Sequence, residues 1–150
     1  MQIFVDADAC PVKDEAAKVA TRHGLVIHYV SNSHMRLPFG DNVRRVVVSD
    51  GADAADDWIA EQADAGDIVI TADIPLASRT IKRGAKVVSH FGKPFTEDSI
   101  GMALAMRDLM AQLRETGEMR GSNPVFMPKD RSNFLQGLEN VIQLAKRSGS

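Results

Sequence analysis

The chain has 150 residues, of which 44% are hydrophobic, with a formal net charge of -2 and a pI near 6.1. This is the size of one domain able to bury a real core, so residues 1–150 read as a single unit. The lone Cys10 excludes an internal disulfide framework or a zinc site of several thiolates, and the absence of a basic excess argues against tight nonspecific binding to nucleic acid.

Residues 2–5 form an apolar run that ends at Asp6, and Pro11 falls in the first turn of a helix expected to run to His23. Gly24 closes that helix, and Leu25 to Val30 reads as a second strand. A polar loop from Ser31 to Asn42 leads to a third strand, Arg44 to Ser49. The spacing predicts a helix over Asp53 to Ala65, closed by Gly66, and then a buried strand over Asp67 to Thr71. Asp73-Ile74-Pro75 opens a further helix that runs to about Arg83, and Gly84 separates it from a fifth strand, Ala85 to Ser89. Thr96-Glu97-Asp98 begins a longer helix to about Thr116, with acidic residues where the helix dipole favours them. Met102, Leu104, Ala105, Met106, Leu109, Met110 and Leu113 form an apolar stripe on it, read as core or subunit contact. A loop over 117–129 precedes a C-terminal helix over 130–147. The length of that loop suggests that the last helix docks as an appendage or meets a second copy in a homo-oligomer.

Five short strands alternating with helices predict an α/β fold with a doubly wound parallel sheet, and the right-handed crossover rule favours the order 3-2-1-4-5. In that order the first and fourth strands are neighbours, so Asp6 and Asp73 meet at the carboxyl edge, where such folds bind ligands. Asp8 reaches the same crevice, and Asp53, Asp56 and Asp57 offer a further acid from the next helix. Carboxylates gathered there repel one another unless a cation compensates, and oxygen-only donors favour Mg²⁺ or Mn²⁺ over zinc. Bland alternatives stand beside this: Asp8 and Asp73 both precede helices and suit N-caps, and helix aspartates are ordinarily a solvated face. Asp6 resists that reading, because a carboxylate ending an apolar strand gains nothing from burial without a partner.

Ser31, Asn32, Ser33 and His34 follow the second strand and are expected to open on the same edge, as phosphate or water ligands or as a polar loop. Lys13, Arg79, Lys82, Arg83 and Lys86 form a set of cations suited to guiding a nucleic-acid backbone, against the plainer reading of solvated helix faces. His90 reads as an exposed loop histidine and Cys10 as a structural thiol. No apolar run is long enough to cross a bilayer and Met1 to Asp6 lacks a signal-peptide pattern, so a cytoplasmic protein with no membrane partner is expected.

The strings Phe4-Val5-Asp6-Ala7-Asp8-Ala9-Cys10-Pro11-Val12, Gly51 to Ile59, Asp67 to Ala77 and Asp130-Arg131-Ser132-Asn133-Phe134 closely resemble the bacterial YaiI/YqxD family over nearly the whole chain. That family looks like a member of the PIN-like nuclease group. The resemblance implies a PIN-like three-layer sandwich with a C-terminal helical extension, a Mg²⁺ or Mn²⁺ site and RNA rather than DNA as partner. It implies site roles for Asp6 and Asp73, with Asp56 as the helix acid and Asp8 or Asp98 in the last acidic position. Three functions follow as expectations: a metal-dependent nuclease acting through Asp6, Asp8, Asp56 and Asp73; a haloacid-dehalogenase-like phosphatase with Asp6 as nucleophile, since an apolar strand before Asp-x-Asp also opens that group; and a noncatalytic nucleic-acid or protein binding module.

Overall fold

The computed structural model describes residues 1–8, 10–49, 51, 53–115 and 125–148. Parallel strands β1 (Gln2–Asp6), β2 (Val26–Ser31), β3 (Val43–Val47), β4 (Ile68–Ile70) and β5 (Lys86–Val88) lie in the order β3-β2-β1-β4-β5. This is the order expected from the crossover rule. A sixth strand, β6 (Pro94–Phe95), extends the β5 edge in the antiparallel sense. Two residues, one of them proline, are too short a run for hydrophobic periodicity to reveal.

Alternation along the strands divides the apolar side chains between two faces. Ile3, Val5, Ile27, Tyr29, Ile68 and Ile70 point to one core, shared with α1 (Lys13–Arg22) and α5 (Pro128–Ser148). Phe4, Val30, Val69 and Val87 point to the other, under α2 (Ala54–Gln62) and α3 (Ile74–Lys82), with Ile100 of α4 (Glu97–Glu115) at its margin. Helices therefore cover both faces, as a parallel sheet requires.

The C-terminal helix corrects an expectation. Far from being an appendage, α5 buries Phe134, Leu138, Val141, Ile142 and Ala145 in the same core as β1 and α1. It begins at Pro128 rather than 130, and of the expected 117–129 loop only 125–127 fall among the described residues. Its approach is close enough to demand two glycines. A Cβ at Gly137 would fall on the Gly92 carbonyl oxygen, and one at Gly92, where φ is +84°, would fall on the Asn133 carbonyl. This contact seats the turn after β5 directly on α5. By contrast, the apolar stripe of α4 is largely open, with Met102, Met106 and Leu109 exposed. Among the described residues no helix is long and apolar enough to cross a membrane.

Candidate functional site

Because each strand–helix connection in a parallel sheet opens at the carboxyl edge, the residues after β1, β2 and β4 and the start of α2 share one side of the molecule. There an open cleft of about 340 Å³ is lined by Asp6, Asp8, Asn32, Ala55, Asp56, Ala72, Asp73 and His90. The four aspartates come from three connections of the chain. Asp6 ends β1, Asp8 follows it, Asp56 sits in the first turn of α2, and Asp73 precedes α3.

Hydrogen bonds fix two of these acids. The buried Thr71 hydroxyl donates to Asp6 Oδ2 over 3.0 Å and accepts the Asp73 backbone N–H over 2.9 Å. Asp73 Oδ1 in turn accepts the Leu76 N–H over 3.0 Å, so this carboxylate is the N-cap of α3 and also lines the cleft. The two readings open from sequence for Asp73 are compatible, since one oxygen serves the helix. For Asp8 they are not. The N-cap position of α1 is Val12, and the Asp8 carboxylate instead accepts the Asn32 N–H at 3.1 Å, tying the β1 and β2 connections together. The Asn32 side chain donates to the Gly51 carbonyl over 2.9 Å and continues that tie toward α2.

Burial, reinforced by like charge, raises Asp6 and Asp56. Asp6 lies above the ordinary carboxylate range because burial disfavours its anion, with the charges of Asp73 and Asp8 adding to this against the Thr71 bond. Asp56 is pushed to about 7, first by burial, then by the charges of Asp73 and Asp6 and a hydrogen bond with Asp73. At neutral pH it is poised between acid and carboxylate. His90, expected to be an exposed loop residue, is 6% exposed and lines the cleft, because the Gly92–Gly137 contact pulls its turn onto α5. Burial first, and then Lys13, lower its pKa to about 4, so the imidazole is neutral, and its Nε2 has no partner among the described residues. Cys10 is buried and its thiol is pushed up to about 11 by burial, which makes it an inert core residue.

The other expected residues divide. Ser31 is buried and donates to the Ser33 carbonyl over 2.6 Å, so of that loop trio Asn32 alone lines the cleft. Arg79, Lys82 and Arg83 do not line it. They occupy the far end of α3 and its cap, roughly 9–15 Å beyond Asp73 at 1.5 Å per residue. Arg79 pairs with Asp57 at 2.8 Å and Arg83 with Asp64 at 2.7 Å. Asp57 is thereby turned toward α3, Asp53 takes the N-cap position of α2, and Asp98 is exposed on α4 away from the cleft. Two residues of the site carry little signal in sequence: buried Thr71, two positions before Asp73, and His90, which lines the cleft.

The donor set is oxygen from carboxylates, the chemistry of a hard divalent cation. Among the described residues no three His, Cys, Asp or Glu side chains are drawn close enough to hold a metal ion as they stand. The aspartates share a cleft without forming a closed ligand cage.

The family model described as "Uncharacterized BCR, YaiI/YqxD family" matches residues 4–144. The chain is 61% identical over 146 residues to a UPF0178 protein of Parvibaculum lavamentivorans, covering 97% of this chain and 96% of the relative. It is 60% identical over 148 residues to a UPF0178 protein of Rhodospirillum rubrum, covering 98% and 99%, and 54% identical over 147 residues to one of Rhodopseudomonas palustris, covering 98% and 95%. No solved structure matches it.

Proposed function

The chain belongs to the YaiI/YqxD family, and from the acid cleft described above we propose that it is a divalent-cation-dependent phosphodiesterase of PIN-like architecture acting on RNA. The observation that carries this reading is the assembly of Asp6, Asp8, Asp56 and Asp73 in one cleft, where burial and then the charges of Asp73 and Asp6 push Asp56 up to about 7. Unlike an ion pair, such a cluster stabilises nothing by itself, and a bound cation is what relieves it.

These four carboxylates would hold Mg²⁺ or Mn²⁺, whose charge would compensate their mutual repulsion. When bound, the ion supplies Lewis-acid stabilisation of the phosphoryl oxygens and an activated water. The protein's own groups do the rest. Thr71 orients Asp6 and fixes the chain direction at Asp73, and the N-terminus of α3 adds a positive dipole beside an incoming phosphate. Neutral His90 offers an unspent ring nitrogen to a substrate oxygen. The phosphatase alternative, with Asp6 as a nucleophile to be phosphorylated, is less well served. The chain passes from Asp6 straight into α1 at Lys13, leaving little room for a covering flap.

Thermal unfolding followed with millimolar Mn²⁺, together with cleavage of single-stranded and structured RNA, tests the proposal. A raised Tm and cleavage lost in Asp6→Asn support it. A Tm indifferent to Mn²⁺ and Mg²⁺, or cleavage undiminished in Asp6→Asn, overturns it.

A further inference from the structure

Beside the acid cleft lies a second, larger hollow of about 660 Å³ between the start of α1 and the β2–β3 connection, lined in part by Lys13, Arg36, Leu37, Pro38 and Phe39. The two are continuous through the chain. Asn32 opens the connection inside the acid cleft, bonded to Asp8, and Arg36 to Phe39 continue it along the hollow. Lys13 connects them from the other side, since its charge acts on His90 in the cleft while its side chain lines the hollow.

The connection is not a slack loop. Met35 and Leu37 pack against the core under α1, and Arg45 of β3 donates to the Met35 carbonyl over 2.9 Å. With alternate residues held inward, Arg36 is turned out. Phe39, past Pro38, is fully exposed at 103% of its reference area, the most exposed large apolar side chain among those described. Among the described residues neither Arg36 nor Lys13 has a carboxylate partner, and Lys13 Nζ donates only to the Cys10 carbonyl at 2.9 Å. Asp14 is the one acid on this hollow's wall, at its exposed rim. The anchored segment thus displays a guanidinium without a carboxylate partner and a bare aromatic ring, and α1 adds the Lys13 ammonium across the hollow. A peptide partner would be expected to meet an apolar surface wider than one ring, whereas alternating cation and aromatic matches a polymer of phosphates and bases.

We propose that single-stranded nucleic acid reaches the acid cleft across the β2–β3 connection, with a base stacked on Phe39 and flanking phosphates held by Arg36 and Lys13. This rests on the phosphodiesterase reading and adds a substrate form to it. A duplex keeps its bases stacked inside and cannot offer one to Phe39, so the surface selects unpaired strands.

Fluorescence anisotropy of a labelled strand of about 12 nucleotides, in EDTA so that binding is read without cleavage, tests this with RNA, DNA and duplex arms. Phe39→Ala is expected to weaken single-strand binding about tenfold, and Phe39→Trp to restore it. Arg36→Glu is expected to weaken binding and flatten its salt dependence, with Lys18→Gln, exposed on α1, unchanged. Wild-type affinity in Phe39→Ala, a duplex bound as tightly as a single strand, or no binding of any nucleic acid overturns the inference; in the last case the display serves a protein partner. The two readings fail separately. Phe39-dependent binding without Mn²⁺-dependent cleavage removes the phosphodiesterase alone, and cleavage indifferent to Phe39 and Arg36 removes the strand path alone.

Discussion

The two ends of the sheet treat carboxylates in opposite ways. At the carboxyl edge Asp56 is pushed up to about 7 by burial and then by Asp73 and Asp6. At the amino edge, where α1 ends beside α5, Glu139 is drawn down to about 2 by a bond from Gln143 and then by His23 and Arg22. His23 Nε2 lies 2.9 and 3.0 Å from the two Glu139 oxygens, Gln143 donates to Oε2 over 2.9 Å, and Lys146 reaches His23 Nδ1 at 2.7 Å. The amino edge gives its acid donors and cations and uses it to clamp two helices. The carboxyl edge gives its acids one another, a defect for stability that makes sense where a ligand is to be received. Burial without donors raises an acid at one edge, and donors lower one at the other.

The largest test of this contrast is catalytic. Asp73→Asn should lower Mn²⁺-dependent cleavage by on the order of 10²–10³-fold, measured as initial rates on labelled RNA, while Glu139→Gln leaves the rate unchanged. Equal losses in both would erase the distinction between the edges.

Next in size is the contact that brings His90 into the cleft. Gly137→Ala should cost about 1–3 kcal/mol in urea unfolding, because the new methyl meets backbone that cannot turn aside. It should also lower activity beyond any loss of stability by moving His90. A neutral result would mean that α5 slides freely over the Gly92 turn.

Asp56 and Glu139 then make opposite predictions with pH. The folded pKa of Asp56 is raised, so the native state holds a proton that the unfolded chain has released. Stability is fullest below the unfolded value of 3.8 and is lost as pH rises toward about 7. Asp56→Asn should therefore raise Tm by about 2–4 °C at pH 8 and change it little at pH 4. Glu139 has a lowered folded pKa, so its contribution is complete above the unfolded value of 4.5 and fades as pH falls toward about 2. Glu139→Gln should cost about 1 kcal/mol or less at pH 7, the pair being partly exposed, and the difference should close in acid. Parallel pH curves for the two variants would show that neither environment acts as described.

Much of the framework was legible in the chain because strands and helices announce themselves by periodicity and by their stops. Gly24, Gly66 and Gly84 each end a helical segment or its following turn at positive φ, and the five apolar runs between them pair in the order the crossover rule predicts. That order was enough to place Asp6 and Asp73 in one cleft. What was lost depended on tertiary contact. Arg79 and Arg83 look like free cations in sequence, but aspartates of neighbouring segments claim them. His90 looks like a loop residue until Gly92 and Gly137 close upon each other. The role of α5 was misread from the long connection before it, although Phe134, Leu138, Val141 and Ile142 already carried the spacing of a core-facing helix.

The borders of the sheet carry one more consequence. On one side β6 presents Pro94, which has no N–H to offer another strand, and on the other β3 sets exposed Arg44 and Arg45 along the rim. Neither margin invites a neighbouring molecule to continue the ladder. Copies of this chain that associate should do so through helical surfaces such as the open methionine-rich side of α4, and fibrous self-association by strand addition is guarded against at both limits.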